Sequence, residues 1–271
     1  MSWWPPRDGR KQGEERPMTL DKERVARCFR QAMANYDLHA TVQRRVGARL
    51  LELAGQVPAI SYERVLEIGC CTGLLTRMLC RRQRVGTLYL NDLVADFGES
   101  VRSGIPEERM PDLRPLFGDI EGLPLPERLT LVISSATFQW LADLPGFLHR
   151  LVLALGEDGF LAFSIFGPGT LAEFTALTGI GLDYRTPEQI ASFVEKDFVL
   201  EQLVTEQNQL WLPAPRDVLH HLRATGVGGV RDYRWTRPAL RSFEWDYLTR
   251  FGTADGVPVS YVSTYCLARR K

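Results

Sequence analysis

The chain lacks the means to build a metal cluster or a disulfide framework. Its five cysteines, Cys28, Cys70, Cys71, Cys80 and Cys266, contain no C-x-x-C unit, the spacing a structural zinc site uses, so no metal is expected. Cys70 and Cys71 are adjacent, with Cα atoms about 3.8 Å apart. That is shorter than the usual disulfide span, so both are expected as thiols in a reducing cytoplasm. Net charge is missing too. The 33 Lys and Arg balance the 33 Asp and Glu, which removes the global field that draws proteins to nucleic acid or anionic membranes. No apolar run reaches the roughly 18 residues of a membrane span, and "MSWWPPRDGRKQGEERPM" has no signal-peptide core. Its proline, glycine and charge read as a disordered lead-in over 1–20, before a single domain over 21–271. The Trp3-Trp4 pair within it is either a sticky partner site or part of a stray tail. There is no internal repeat.

What is present is alternation. From 21 to 54 the pattern is helical. Val25, Phe29, Ala32 and Tyr36 fall on one face, and Val46, Leu50 and Leu53 continue it after a break expected near 37–40. "RVLEIG" (64–69) reads as a buried strand, 74–84 as a helix and 86–93 as a second strand. Strands follow at 113–120, 129–136 and 160–166, with a helix at 143–155 whose Leu144, Phe147, Leu148, Leu151 and Leu155 share a face. Helices are then expected at 169–177 and 186–196, the latter with Thr186 as N-cap and Pro187 in its first position. A strand at 198–212, two helical stretches and a final strand from 257 complete the chain. The pattern predicts an α/β fold, a Rossmann-like, mostly parallel seven-stranded sheet with helices on both faces. A terminal hairpin closes it, and helical insertions at about 169–196 and 213–251 cap its end.

The loop after the first strand is short of a glycine. "LEIGCCTGLLT" is spaced Gly69-x-Cys71-x-Gly73, and the dinucleotide fingerprint G-x-G-x-x-G fails at Cys71 and Leu74. A pyrophosphate also seeks a helix N-terminus without a nearby acid. S-adenosylmethionine instead carries a sulfonium and an ammonium, which Glu67 can serve directly or through water. Asp92, ending the second strand, can accept from both ribose hydroxyls. Asp119, after the third, can accept from the adenine amine, with Leu93 and Ile120 sandwiching the ring. Taken singly, each acid reads at least as well as a solvated strand end or a helix cap. Three in order at sheet ends point to the cofactor. If position 71 needs a positive φ, cysteine there costs about 1–2 kcal/mol, which predicts a weakened but working site.

With these residues the chain resembles the class I S-adenosylmethionine-dependent methyltransferases, and more narrowly the malonyl-carrier-protein O-methyltransferases of biotin synthesis. "ARCFRQAMANYDLHATVQRRV" is similar to that family's N-terminal helix, with its Tyr-Asp-x-His-Ala-x-x-Gln core. "GDIEGLPLP" (118–126), "FQWLADLPGFL" (138–148), "FSIFGPGTLAE" (163–173), "LHHLRATGV" (219–227) and the terminal "PVSYVSTYCLARRK" follow in order. The departures are Cys71 for glycine, Ser135 where Asn is commoner, "ALGEDG" (154–159) for a Lys-Pro-Gly-Gly turn, and Arg223 for Lys.

The resemblance implies methylation of the free carboxylate of a malonyl thioester. That group is already ionised and nucleophilic at neutral pH, so alignment and exclusion of water suffice and no general base is called for. Tyr36 and His39 are expected to bind the malonyl carboxylate or thioester carbonyl. Arg223 is expected either to orient the carboxylate or to sit on a solvated helix face. Gln43 is placed near the methionine tail, Ser135 counts among the cofactor-binding positions, and Gln139-Trp140 walls the site. The implied partner is a malonyl-loaded acyl carrier protein, or malonyl-CoA, with Arg44, Arg45 and "RRQR" (81–84) as rim candidates. That run reads better as a favourable helix C-terminus. Another small carboxylic acid as substrate, or a silent methyltransferase-fold binding protein, remain the alternative readings.

Overall fold

A computed structural model of the protein describes residues 21–227 and 235–271. The lead-in expected over 1–20, its Trp3-Trp4 pair, and the part of the second insertion at 228–234 lie outside the described residues.

Asp21 caps the first helix, α1 (Lys22–Ala32), by accepting from the Arg24 amide at 3.0 Å. The expected long helix breaks twice rather than once. A turn at 33–35 separates α1 from the single turn α2 (Tyr36–His39), and Ala40 (ψ 42°) separates α2 from α3 (Thr41–Gly55). α2 stands apart because Asp37 is held from outside the helix, by Thr72 and Arg77.

The sheet is built from β1 (Arg64–Ile68), β2 (Thr87–Asn91), β3 (Asp112–Pro115), β4 (Leu129–Ser135), β5 (Leu155–Phe166), β6 (Phe198–Leu212) and β7 (Val257–Arg270). Their order is β3-β2-β1-β4-β5-β7-β6, parallel except where β7 runs antiparallel between β5 and β6. Alternating side chains feed two cores. Val65, Leu131 and Ile133 face α3 and α4 (Leu74–Arg82), while Leu66, Ile68 and Val132 face α6 (Leu144–Ala154) and α8 (Pro187–Val194). α8 carries the expected cap, a full capping box between Thr186 and Gln189 behind Pro187.

Three expectations shift. A short α5 (Phe97–Ser103), with Phe97 and Val101 buried, follows β2 where the sequence reading has no helix. β3 ends at Pro115, not 120, because Pro115 has no amide donor and Asn91 Nδ2 ties the Leu116 and Gly118 carbonyls into a loop, at 2.7 and 3.1 Å. β5 begins at Leu155, not 160. The stretch read as a turn joins the strand as an irregularity in register opposite 129–131, where Gly159 passes so close to the Leu129 carbonyl that a Cβ would lie 2.9 Å from it.

Of the insertions, α7 (Ala172–Thr178) and α8 lie between β5 and β6. α9 (Pro215–Ala224) and α10 (Arg237–Phe251) lie between β6 and β7, and α9 packs against α1 and α2.

Candidate active site

Strand order reverses between β1 and β4, so the loops leaving their carboxyl ends diverge and leave a crevice. On its floor the Gly69 and Cys70 amides both donate to the Asn91 carbonyl at 2.9 Å. Gly69 (φ 75°) admits no side chain, since a Cβ would meet Thr137 Oγ1 at 2.0 Å. The position of the absent glycine is also left-handed: Cys71 has φ 47°. Gly73 (φ 87°) begins α4.

Asp92 braces this loop. One carboxylate oxygen accepts from the Cys71 amide and the other from the Val94 amide, each at 2.9 Å. Burial raises its pKa to about 6 against those two hydrogen bonds. From above, Asp37 of α2 accepts from Thr72 Oγ1 and Arg77 Nη2, both at 2.5 Å, while Arg77 Nη1 reaches the Thr72 carbonyl at 2.6 Å. The lock sets the Tyr36 hydroxyl against the Cys71 thiol, and burial holds both protons well above their ordinary pKa.

At the rim, Lys22 of α1 reaches down to both Asp119 oxygens (2.7 and 2.6 Å) and to Glu121. Phe29 packs edge-on against Trp140 at 6.0 Å. Beyond them Gly226 (φ 73°), past the end of α9, abuts Phe29 so closely that a Cβ would lie 2.7 Å from the ring. The cavity, counted together with the open space at its mouth, spans about 1010 Å³. Two carboxylates, Asp92 and Asp119, stand in its wall, and the buried Gln43 and Gln139 Oε1 atoms have no partner within the protein. Orphaned acceptors and acids beside an apolar slot suit a cationic, amine-bearing ligand.

A methyltransferase domain family matches residues 66–163. Malonyl-[acyl-carrier protein] O-methyltransferase of Prosthecochloris aestuarii is 34% identical over 93% of this chain and 94% of its own length. The protein of the same name from Chlorobium phaeovibrioides is 36% identical over 93% and 97%. The chain belongs to the malonyl-[acyl-carrier protein] O-methyltransferase family. It is a methyltransferase that uses S-adenosylmethionine, on a class I frame. The fold matches that of the N-methyltransferase NodS of Bradyrhizobium japonicum, crystallised with S-adenosyl-L-homocysteine. There the TM-score is 0.59 at 14% identity, over 91% of this chain and 98% of that one. Among the described residues no helix is long and apolar enough to cross a membrane.

For this family member, the cavity wall brings together Tyr36, Gln43, Gly69, Cys71, Asp92, Leu93, Asp119, Ile120, Ser135 and the Gln139-Trp140 pair. Four expected residues lie elsewhere. Gly73 shapes the helix start behind the wall. Glu67 is fully buried (0% exposed) beneath the loop, because strand alternation turns it toward α4, where burial raises its pKa to about 8 despite Thr76 and Arg77 nearby. His39 packs edge-on against His220 at 4.9 Å, outside the wall. Arg223 is exposed on α9 and does not line the cavity. The sequence reading left out Asp37 and Arg77, which hold α2, and Lys22. It also left out the far wall of Phe166, Tyr184, Thr225 and Tyr261. The Tyr-Asp pair and the "HHLRATG" run were visible as motifs, but nothing in a linear pattern tells which member of each faces inward.

Proposed function

We propose that this enzyme methylates the free carboxylate of a malonyl group carried as a thioester on acyl carrier protein, in the cytoplasm and toward biotin. The observation that carries the reading is the cavity running from Asp92 beneath α1 and α2 to Tyr261. It has acids at one end and hydroxyls at the other, in a chain similar over nine-tenths of its length to malonyl-[acyl-carrier protein] O-methyltransferases.

When bound, the methyl donor would supply an electrophilic carbon on a sulfonium whose sulfur would keep the C–S bonding pair, so an already ionised carboxylate could be methylated without any proton moving. The residues bind and align. Asp92 accepts the ribose hydroxyls, Leu93 and Ile120 hold the adenine, and Gln43 Oε1 takes a hydrogen bond from the methionine end. Asp119, paired with Lys22 in the ligand-free protein, would accept from the adenine amine. Glu67 sits beneath the loop as a buried carboxyl group, neither of whose oxygens has a hydrogen-bond partner among the described residues. Tyr36, pressed on Cys71, closes the space over the sulfur, and Phe29 with Trp140 excludes water, which leaves the carboxylate less solvated and more nucleophilic. His39 and Arg223 act from outside the cavity, at the hinge of α2 and on the cap surface.

The test is mass spectrometry of malonyl-carrier protein, and separately malonyl-CoA, after incubation with S-adenosylmethionine. The expected product is a malonyl group heavier by one methylene unit on the carrier protein. Product only on free carboxylic acids would replace this reading with another substrate, and tight S-adenosylhomocysteine binding without any product would point to a silent relative.

A further inference from the structure

An anion must be recognised at the far end of the cavity, and the described residues offer it no free cation there. Lys22 is the one cationic side chain in the described wall, and it is taken up by Asp119 and Glu121 at the opposite end. What the far wall does offer is hydroxyls. Tyr261 lies in β7, on the far side of β1, β4 and β5 from β2 and Asp92. It is 1% exposed, yet it faces the cavity. Its ring is packed against Phe166 at 5.3 Å, and its Oη lies 2.7 Å from His221 Nε2 on α9.

His221 is itself buried, and the α9 turn beneath it is tied by Thr225 Oγ1 donating to the His221 carbonyl at 2.8 Å. Burial, with His39 and His220 adjacent, lowers its pKa to about 4, so the imidazole is neutral near pH 7. A neutral imidazole has two tautomers. With the proton on Nδ1, Nε2 accepts the phenol proton and Tyr261 shows the cavity only lone pairs. With the proton on Nε2, the ring donates to Oη and the phenol proton is free to point inward. A carboxylate in the cavity selects the second arrangement, because only that one gives it a donor. Burial raises the Tyr261 pKa, so the phenol keeps its proton.

We propose that Tyr261, turned and held by His221, is the group that recognises the substrate carboxylate, with His221 as its positioning residue. The inference rests on the malonyl-thioester reading above. A neutral O–H donor fixes the anion's direction without the full ion pair that would blunt its nucleophilicity. Once the oxygen is esterified the charge-assisted bond is lost, which favours release of product. The role that the sequence suggested for Arg223 thus falls to a residue of the last strand.

The test compares binding of malonyl-loaded and acetyl-loaded carrier protein to the S-adenosylhomocysteine complex, since the two differ only in the carboxylate. Wild type is expected to prefer the malonyl form. Tyr261→Phe should cut that preference about tenfold or more while leaving affinity for S-adenosylhomocysteine unchanged. His221→Leu should match it. His221→Gln, whose amide can take the place of Nε2, should recover most of the preference, which a merely structural role would not produce. If Tyr261→Phe does not fold, the His221 pair reads the same ratio. A wild type that prefers malonyl, with variants that keep its ratio, overturns this inference alone. A wild type without preference and without methyl transfer overturns the function reading, and this inference with it.

Discussion

At the scale of a residue, the most informative position is Cys71. Its φ of 47° lies where a Cβ crowds the backbone, so the missing glycine is a strained cysteine and the loop itself keeps its form. Cys71→Gly is expected to raise stability by about 1 kcal/mol in urea denaturation, and Cys71→Val, β-branched in that region, to lower it. The thiol also fills space against the Tyr36 hydroxyl, so the glycine variant should bind S-adenosylhomocysteine more tightly by calorimetry. Asp92 carries two tasks, bracing the loop and facing the cavity. Asp92→Asn keeps the shape and loses the charge, and is expected to weaken cofactor binding tenfold or more. Unchanged affinity would remove Asp92 from the binding residues.

At the scale of an element, α2 depends on one carboxylate. Asp37 joins Thr72 and Arg77 across the top of the 69–73 loop, and Arg77 is mostly buried, so removing Asp37 leaves that cation without its carboxylate. Asp37→Ala should cost about 1–3 kcal/mol and raise the KM for S-adenosylmethionine more than it lowers kcat, because it loosens a lid and not the reacting groups. The turn after α9 meets α1 at Gly226, where any side chain is both in left-handed backbone and against the Phe29 ring. Gly226→Ala is expected to push α9 from α1, with a loss of about 1–3 kcal/mol and faster hydrogen exchange in α1. An unshifted exchange pattern would show that the two elements do not support each other.

Across the whole molecule, two buried titrating groups tilt stability in opposite directions. The folded state raises Glu67 to about 8 from an ordinary 4.5. Between those values the native protein binds the extra proton, so stability in the ligand-free protein falls as pH rises from 4.5 through 8. His221 is lowered to about 4 from 6.5. There the unfolded chain binds the extra proton, so stability falls as pH drops from 6.5 through 4. Denaturation midpoints measured across pH should therefore flatten on the alkaline side in Glu67→Gln and on the acid side in His221→Gln. The same slope in either variant as in wild type would assign that limb to other groups.

The sequence by itself determined the succession of the strands and of most helices along the chain, the methyltransferase frame and most of one cavity wall. Periodicity and turn chemistry are local properties, and Asp92 falls at the end of β2 by simple counting, whereas Asp119 stands in the loop past Pro115. Tertiary structure decided which side chains face inward. Glu67 and Ile68 are neighbours in sequence, yet alternation sends one beneath the loop and the other into the cavity wall. The end of β3 was decided by an Asn91 side chain one strand away, and the start of β5 by how close Gly159 comes to Leu129. The pairing of His221 with Tyr261 joins residues 40 apart through an insertion folded back on the last strand. Such contacts depend on where α9 docks, and no local pattern along the chain encodes that.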